Sequence, residues 1–107
     1  MKMVFAIVNQ DDTNKVVNEL MKKRYQVTKL STTGGFLKAG NTTILIGVSE
    51  EKVDNVIEII GKFSKTRKQV IPSTSELNAG FFPSVPVEVS VGGATIFVMD
   101  VDRFEKV

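Results

Sequence analysis

Residues 32–43 combine three glycines with threonine, asparagine and phenylalanine, in the order Thr-Thr-Gly-Gly-Phe-Leu-Lys-Ala-Gly-Asn-Thr-Thr. Glycine permits positive φ angles and close approach of the backbone, so its N–H groups can face a phosphate. Threonine and asparagine add short hydrogen bonds, and Phe36 offers a ring on which a planar base can stack. The segment therefore predicts either a ligand-binding loop or a twisted turn in which Phe36 and Leu37 fill an apolar gap.

The spacing of Gly35 and Gly40 matches that of the two glycines in a P-loop. Asn41 stands where that motif requires its lysine. The segment also joins two predicted strands, whereas a P-loop precedes a helix. The sequence therefore excludes a Walker-type NTPase.

The chain has no histidine and no cysteine among its 107 residues. It therefore lacks the residues of a Cys-His dyad, a Ser-His-Asp triad or a zinc site with nitrogen and sulfur ligands. The acidic pairs 50–51 and 100/102 lack the spacing of a divalent-cation site and are predicted to be solvated. We therefore expect no catalytic residues, no metal and no cofactor, and a binding protein rather than an enzyme.

Charge and hydropathy limit the possible partners. The chain has 14 basic and 12 acidic residues and a net charge of +2, which is too balanced for a nucleic-acid-binding surface. Its longest apolar runs, such as residues 3–8, are too short to cross a bilayer, and the first residues show no signal-peptide cleavage site. We expect one cytoplasmic domain over residues 1–107, with neither nucleic acid nor membrane as a partner.

Hydrophobic periodicity predicts the elements that position these residues. Alternating or continuous apolar runs indicate strands. The predicted strands cover residues 2–8, 25–32, 41–48, 87–91 and 94–98. Helical spacing of apolar residues predicts two helices. The first follows the polar residues 9–12, where Asp11 or Asp12 is the candidate N-cap, and the second begins after Ser49.

Gly92 and Gly93 separate the last two predicted strands. Two alternating runs joined by two glycines are typical of a β-hairpin with a primed turn. The preceding residues, 64–84, show no clean period and predict a long loop. Within it, the basic segment 64–68 is either solvated or contacts phosphate or an acidic partner. The two phenylalanines 81–82 either dock on the core or form a patch for a partner.

The order of the elements predicts an α+β fold. Two βαβ-like halves give the split arrangement of a ferredoxin-like sandwich, here with an extra C-terminal β-hairpin. Both helices would cover one face of the sheet. The other face would be buried if the sheets of neighbouring subunits stack on each other, so we expect an oligomer.

The element order and four stretches of sequence resemble the PII-like signal-transduction proteins, in particular the cyclic di-AMP receptor family of Gram-positive bacteria. The stretches are residues 1–3, 27–30, 32–43 and 85–98, and the central Thr-Gly-Gly-Phe-Leu-x-x-Gly-Asn-Thr-Thr is the most specific. The resemblance implies a homotrimer with a cyclic di-AMP site in each cleft between subunits. It also implies that the central loop, 32–43, and the second loop, 64–84, move and report binding to a target protein that the sequence does not name.

The resemblance further implies which residues bind the ligand. Thr28 and Asn41 would face phosphate and base edges, and Gly35 and Gly47 would allow close backbone contact. Apolar and aromatic side chains would enclose an adenine. The complete implied set is Gln26, Val27, Thr28, Gly35, Phe36, Leu37, Asn41, Gly47 and Phe97. Gln26 stands where family members often carry an arginine, which can hold phosphate through two bonds.

Two other functions remain open at this point. A PII-like module could bind another adenine nucleotide of the ATP and ADP class, although such proteins use a longer central loop. Alternatively, the protein is a structural trimer without a ligand, in which Phe36 and Leu37 only pack.

Overall fold

The computed structural model of the chain describes residues 1–30, 40–72 and 86–107. Its elements are β1 (Lys2–Asn9), α1 (Gln10–Lys22), β2 (Val27–Leu30), β3 (Asn41–Val48), a short 3-10 turn (Glu50–Lys52), α2 (Val53–Phe63), β4 (Arg67–Pro72), β5 (Pro86–Val91) and β6 (Ala94–Asp100). Within these ranges, neither helix has the length and apolar character needed to cross a membrane.

Four strands form one antiparallel sheet in the order β2-β3-β1-β6. The helices α1 and α2 follow β1 and β3 along the chain. This arrangement of two helices on an antiparallel sheet is compatible with the ferredoxin-like fold that the sequence predicts. Strands β4 and β5 form a separate two-stranded sheet.

The core lies between one face of the four-stranded sheet and the two helices. Successive side chains of a strand point to opposite faces, so Val4, Ala6 and Val8 share the helix-facing side of β1 and are completely buried. Leu20 of α1 and Ile60 of α2 are buried in the same cluster. Burial of each such large aliphatic side chain contributes about 1.5–3 kcal/mol, so these alternating and helically spaced residues fix both helices on this face.

The opposite face of the sheet is largely apolar, and its side chains on β1 are only partly buried among the described residues. Met3, Phe5 and Ile7 of β1 lie on it, with Phe97 and Met99 beside them on β6. Phe97 and Met99 are 52% and 47% exposed. We call this surface the open face.

The predicted hairpin between residues 87–91 and 94–98 is wrong. β5 pairs with β4, and β6 pairs with β1 in the other sheet. The expected long loop over 64–84 likewise contains a strand, β4. A primed turn and a crossover between sheets both use positive φ angles, so the glycine pair alone does not distinguish them.

The geometry at Gly92 and Gly93 explains the crossover. Their φ angles are 87° and 82°, and the Gly93 N–H donates to the carbonyl oxygen of Ser64 at the end of α2. A Cβ atom on Gly92 would lie 2.6 Å from the carbonyl oxygen of Lys65. The glycines therefore let the chain pass closely against residues 64–65 as it leaves one sheet for the other.

The helix starts also differ from the sequence prediction. Asn9, not Asp11 or Asp12, caps α1, since its Oδ1 atom accepts a hydrogen bond of 2.8 Å from the Asp11 N–H. Asp12 instead binds Arg67. Ser49 precedes the 3-10 turn and makes no side-chain cap hydrogen bond, and α2 begins only at Val53.

Candidate functional site

A cavity of about 240 Å³ opens beside β2 and β3, next to the N-terminus and the C-terminal tail. We call it the sheet cavity. It is lined by Met1, Met3, Gln26, Thr28, Leu45, Gly47, Val101 and Phe104. Apolar walls with a few polar groups are typical of small-molecule sites. Here the Gln26 amide and the Thr28 hydroxyl are the polar side chains available to a ligand.

Strand register brings the cavity walls together. Thr28 of β2 lies opposite Leu45 of β3, and Gly47 lies opposite Met3 of β1. Leu45 and Gly47 are two residues apart on β3 and therefore point to the same face. A one-residue shift of any of these pairs would send the corresponding side chain to the helix side of the sheet.

Gly47 leaves space that the described part of its own subunit does not fill. A Cβ atom built there would meet only the Met1 sulfur, at 4.0 Å, which is an ordinary contact. Glycine in the interior of a strand weakens that strand and often marks the close approach of a ligand or another backbone. Packing among the described residues does not require this glycine, so its position is consistent with such a close approach.

The C-terminal tail is held beside the N-terminus. The Val101 N–H donates to the Met1 carbonyl oxygen at 3.2 Å, and Lys2 pairs with Asp100 just before it. The hydrogen bond from Lys2 is the main reason that the pKa of Asp100 lies below its ordinary value. These contacts place Val101 at the cavity and bring Phe104, which is 65% exposed, to its rim.

Comparison with known proteins now decides the family. The family model described as cyclic-di-AMP receptor matches residues 1–107, the whole chain. The chain belongs to the cyclic-di-AMP receptor family. Membership supports a signalling role that involves cyclic di-AMP binding. A crystal structure of a functionally unknown protein from Pediococcus pentosaceus ATCC 25745 is similar, with 43% identity, 99% of this chain and 96% of that chain covered, and a TM-score of 0.75.

Three of the binding residues expected of a cyclic-di-AMP receptor meet in the sheet cavity, namely Gln26, Thr28 and Gly47. Val27 lies between the first two but points to the other face, where it packs on the core. Only the backbone of Val27 is therefore available on the cavity side. Gly35, Phe36 and Leu37 lie outside the described residues, as do Phe81 and Phe82.

Phe97 lies at the far edge of the sheet from Thr28. Strand register places Thr28, Leu45, Phe5 and Phe97 in one row across β2, β3, β1 and β6. Adjacent strands are about 4.8 Å apart, so roughly 14 Å separates the two ends of this row. Phe97 contacts Phe5 edge-to-face, with ring centroids 6.1 Å apart. It does not line the sheet cavity of its own subunit.

Asn41 lines a second cavity, of about 310 Å³, together with Asn9 and the residues Gly92–Thr95. It stands at the other end of β3 from Gly47. Six residues of extended strand span roughly 20 Å. A single subunit therefore does not bring Asn41 into the sheet cavity.

The sequence did not identify several walls of the sheet cavity. Met3 and Leu45 are ordinary strand residues in the sequence, and only the strand register shows that they face the cavity. Met1 directly precedes β1 and reaches the cavity beside them. One feature of the sequence could have pointed to Phe104 as a site residue, since it is aromatic and lies in a tail without helical or strand periodicity. The described residues contain no cluster of Asp and Glu that could hold a metal ion.

Proposed function

We propose that this protein is a non-enzymatic sensor that binds cyclic di-AMP in the clefts between subunits of a homotrimer. Binding reorders loop 32–43 and the segment between β4 and β5, and a target protein responds to the new arrangement. Family membership supports the ligand. The observation that carries the cleft is the separation of Thr28 and Phe97 on opposite edges of the open face.

A cleft between subunits resolves that separation. If two open faces pack together, the β2 edge of one subunit can approach the β6 edge of its neighbour. Thr28 and Gly47 then line one wall, and Phe97 of the neighbour lines the other. The sheet cavity of one subunit is only about 240 Å³, whereas pockets for drug-sized ligands measure roughly 300–1,000 Å³. A second subunit supplies the missing wall.

The same packing covers apolar surface. Phe5, Phe97 and Met99 lie on the open face, and the last two are about half exposed in the subunit. Removal of such surface from water stabilises association by roughly 25 cal/mol per Å². Trimer formation and completion of the ligand site are therefore one event in this proposal.

The residues at the cavity favour binding over catalysis. Neutral polar groups on Gln26 and Thr28 can hydrogen-bond base edges or phosphate oxygens, and Phe104 can stack on a base. The chain has no histidine or cysteine to act as a base or nucleophile near neutral pH. A ligand can shift the loops only if it binds one loop state more tightly than another. A sensor thus needs differential contacts and no turnover.

Isothermal titration calorimetry with cyclic di-AMP tests this proposal, with cyclic di-GMP and ATP as controls. We expect about one cyclic di-AMP per subunit, a trimeric mass by light scattering, and unchanged ligand after incubation. Thr28→Ala should weaken binding, whereas Ser90→Ala, on the exposed side of β5, should not. Binding of ATP alone would favour the general adenine-nucleotide module, and a trimer silent to all three ligands would favour a structural role.

A further inference from the structure

Arg24 occupies an unusual backbone position at the end of α1. Its φ angle is 67°, and it is the one non-glycine residue with positive φ among residues 1–30, 40–72 and 86–107. The Arg24 N–H donates to the Met21 carbonyl at 2.9 Å, and the Tyr25 N–H donates to the Leu20 carbonyl at 3.1 Å. This pair of hydrogen bonds is a Schellman motif, in which glycine is the favoured residue at this position.

An arginine at this position is strained relative to glycine, because an L side chain crowds the backbone in the left-handed region. Such strain is often retained where a side chain has a function. The helix end itself would form more easily with glycine. The reason for arginine must therefore lie in what its side chain reaches.

Arg24 lines a cavity of about 290 Å³ that adjoins the sheet cavity. We call it the basic cavity. Its walls are Met1, Arg24, Tyr25, Gln26, Gly47, Val48, Ser49 and Lys52. Three of these residues, Met1, Gln26 and Gly47, also line the sheet cavity. A ligand wider than either cavity can therefore occupy both.

The two cavities differ in charge. Among the described residues, no Lys, Arg, Asp or Glu side chain lines the sheet cavity, whereas Arg24 and Lys52 line the basic cavity and no described acidic residue does. Both side chains are exposed. Neither takes part in an ion pair within the described part of the chain. Glu50 and Glu51 share the 3-10 turn with Lys52 but do not line the cavity.

Neighbouring contacts fix the backbone from which the two cationic side chains extend. The Asn55 amide of α2 donates to the Tyr25 hydroxyl at 2.6 Å, which ties the residue after Arg24 to the second helix. Lys52 is the residue directly before α2. Both basic side chains thus extend from well-defined helix ends, which reduces the entropy lost when they bind an anion.

We propose that Arg24 and Lys52 form the phosphate subsite of the ligand cleft, while the sheet cavity takes an adenine. This inference rests on the proposed function and assigns its charged contacts. A cyclic dinucleotide carries two phosphodiester anions, which the neutral walls of the sheet cavity do not compensate. Guanidinium and ammonium groups bind phosphate oxygens through charge-assisted hydrogen bonds.

Removal of the strained Arg24 should change thermal stability and ligand affinity in opposite directions. Arg24→Gly should raise the midpoint of thermal unfolding, because it relieves the backbone, and should weaken cyclic di-AMP binding about tenfold, because it removes a charge-assisted contact. Arg24→Lys should keep the strain and retain part of the affinity. Lys52→Gln should weaken binding by a similar factor, and the control Lys23→Gln, on the exposed helix end outside both cavities, should not.

Added sodium chloride gives a second measurement. The affinity for cyclic di-AMP should fall more steeply with salt concentration in the wild type than in Arg24→Gly, since salt screens exposed charges. If Arg24→Gly and Lys52→Gln bind cyclic di-AMP as tightly as the wild type does, the phosphate subsite is overturned and the proposed function stands. A wild type that does not bind cyclic di-AMP would overturn the proposed function and the subsite with it.

Discussion

Asp12 and Arg67 form a two-pronged ion pair between the first turn of α1 and the first residue of β4. The Arg67 Nη1 and Nη2 atoms donate to the two carboxylate oxygens of Asp12 at 3.1 and 3.0 Å. Asp12 is only 8% exposed, and its hydrogen bonds are the main reason that the pKa of Arg67 is raised. This contact, with the Gly93–Ser64 backbone hydrogen bond, attaches the β4–β5 sheet to the rest of the domain.

A double-mutant cycle on Asp12→Ala and Arg67→Ala should show a small favourable coupling free energy, measured by urea denaturation at fixed protein concentration. The value stays modest because nearly half of the Arg67 side chain remains in water. The exposed pair Lys68–Glu88 should couple much more weakly in the same cycle. Equal coupling in the two pairs would show that the burial of Asp12 has no effect on the interaction.

Gly92→Ala should destabilise the protein by roughly 2 kcal/mol. The new Cβ would meet the Lys65 carbonyl oxygen at 2.6 Å and the Arg67 Nη1 atom at 2.7 Å, on a backbone with a φ of 87°. Gly61→Ala is the matched control, since nothing lies within 4 Å of its Cβ position. In that exposed helical position, alanine should stabilise by about 0.5–1 kcal/mol. Denaturation midpoints that fall equally in both variants would contradict the crossover geometry.

Glu19 should make α1 sensitive to acid. Hydrogen bonds first from Lys22 and then from Lys15 hold the pKa of Glu19 below its ordinary value. A lowered pKa stabilises the folded state above the unfolded-state pKa, and this stabilisation is lost as pH falls through the folded value. Glu19→Gln should therefore lose less stability than wild type between neutral pH and about pH 3. Glu58→Gln, on an exposed site of α2, is the matched control substitution.

Phe104→Ala should weaken cyclic di-AMP binding about tenfold if the ring stacks on a base at the rim of the sheet cavity. The side chain is 65% exposed, so its removal should leave the unfolding midpoint nearly unchanged. Val107→Ala shortens another exposed residue of the same tail and should alter neither property. Calorimetry and thermal unfolding of both variants check the prediction. An unchanged affinity in Phe104→Ala would show that the ring does not contact the ligand.

Local patterns were sufficient to predict β1, β3, both helices and the class of fold. Their apolar spacing is a property of consecutive residues, and residues such as Val4 and Leu20 are buried as the pattern requires. β4 was missed because Arg67–Pro72 starts with charged residues and ends in proline, which gives no clean period. The partner of β5 was also missed, since strand pairing depends on contacts distant in sequence.

The candidate site was predictable to a similar degree. The family resemblance identified Gln26, Thr28 and Gly47, which the fold places around one cavity. It gave no indication that Phe104 reaches that cavity, because the position of the tail depends on the Val101–Met1 hydrogen bond. The strain at Arg24 depends on how α1 ends, and residue type alone did not reveal it.

Subunit complementation tests the central claim most directly. Thr28→Ala and Phe97→Ala subunits, each deficient in cyclic di-AMP binding as a homotrimer, are co-expressed with different tags, and mixed trimers are titrated by calorimetry. If Thr28 of one subunit and Phe97 of its neighbour share a cleft, every mixed trimer regains wild-type affinity at one of its three sites. Mixed trimers that bind no better than either parent would contradict a ligand site between subunits.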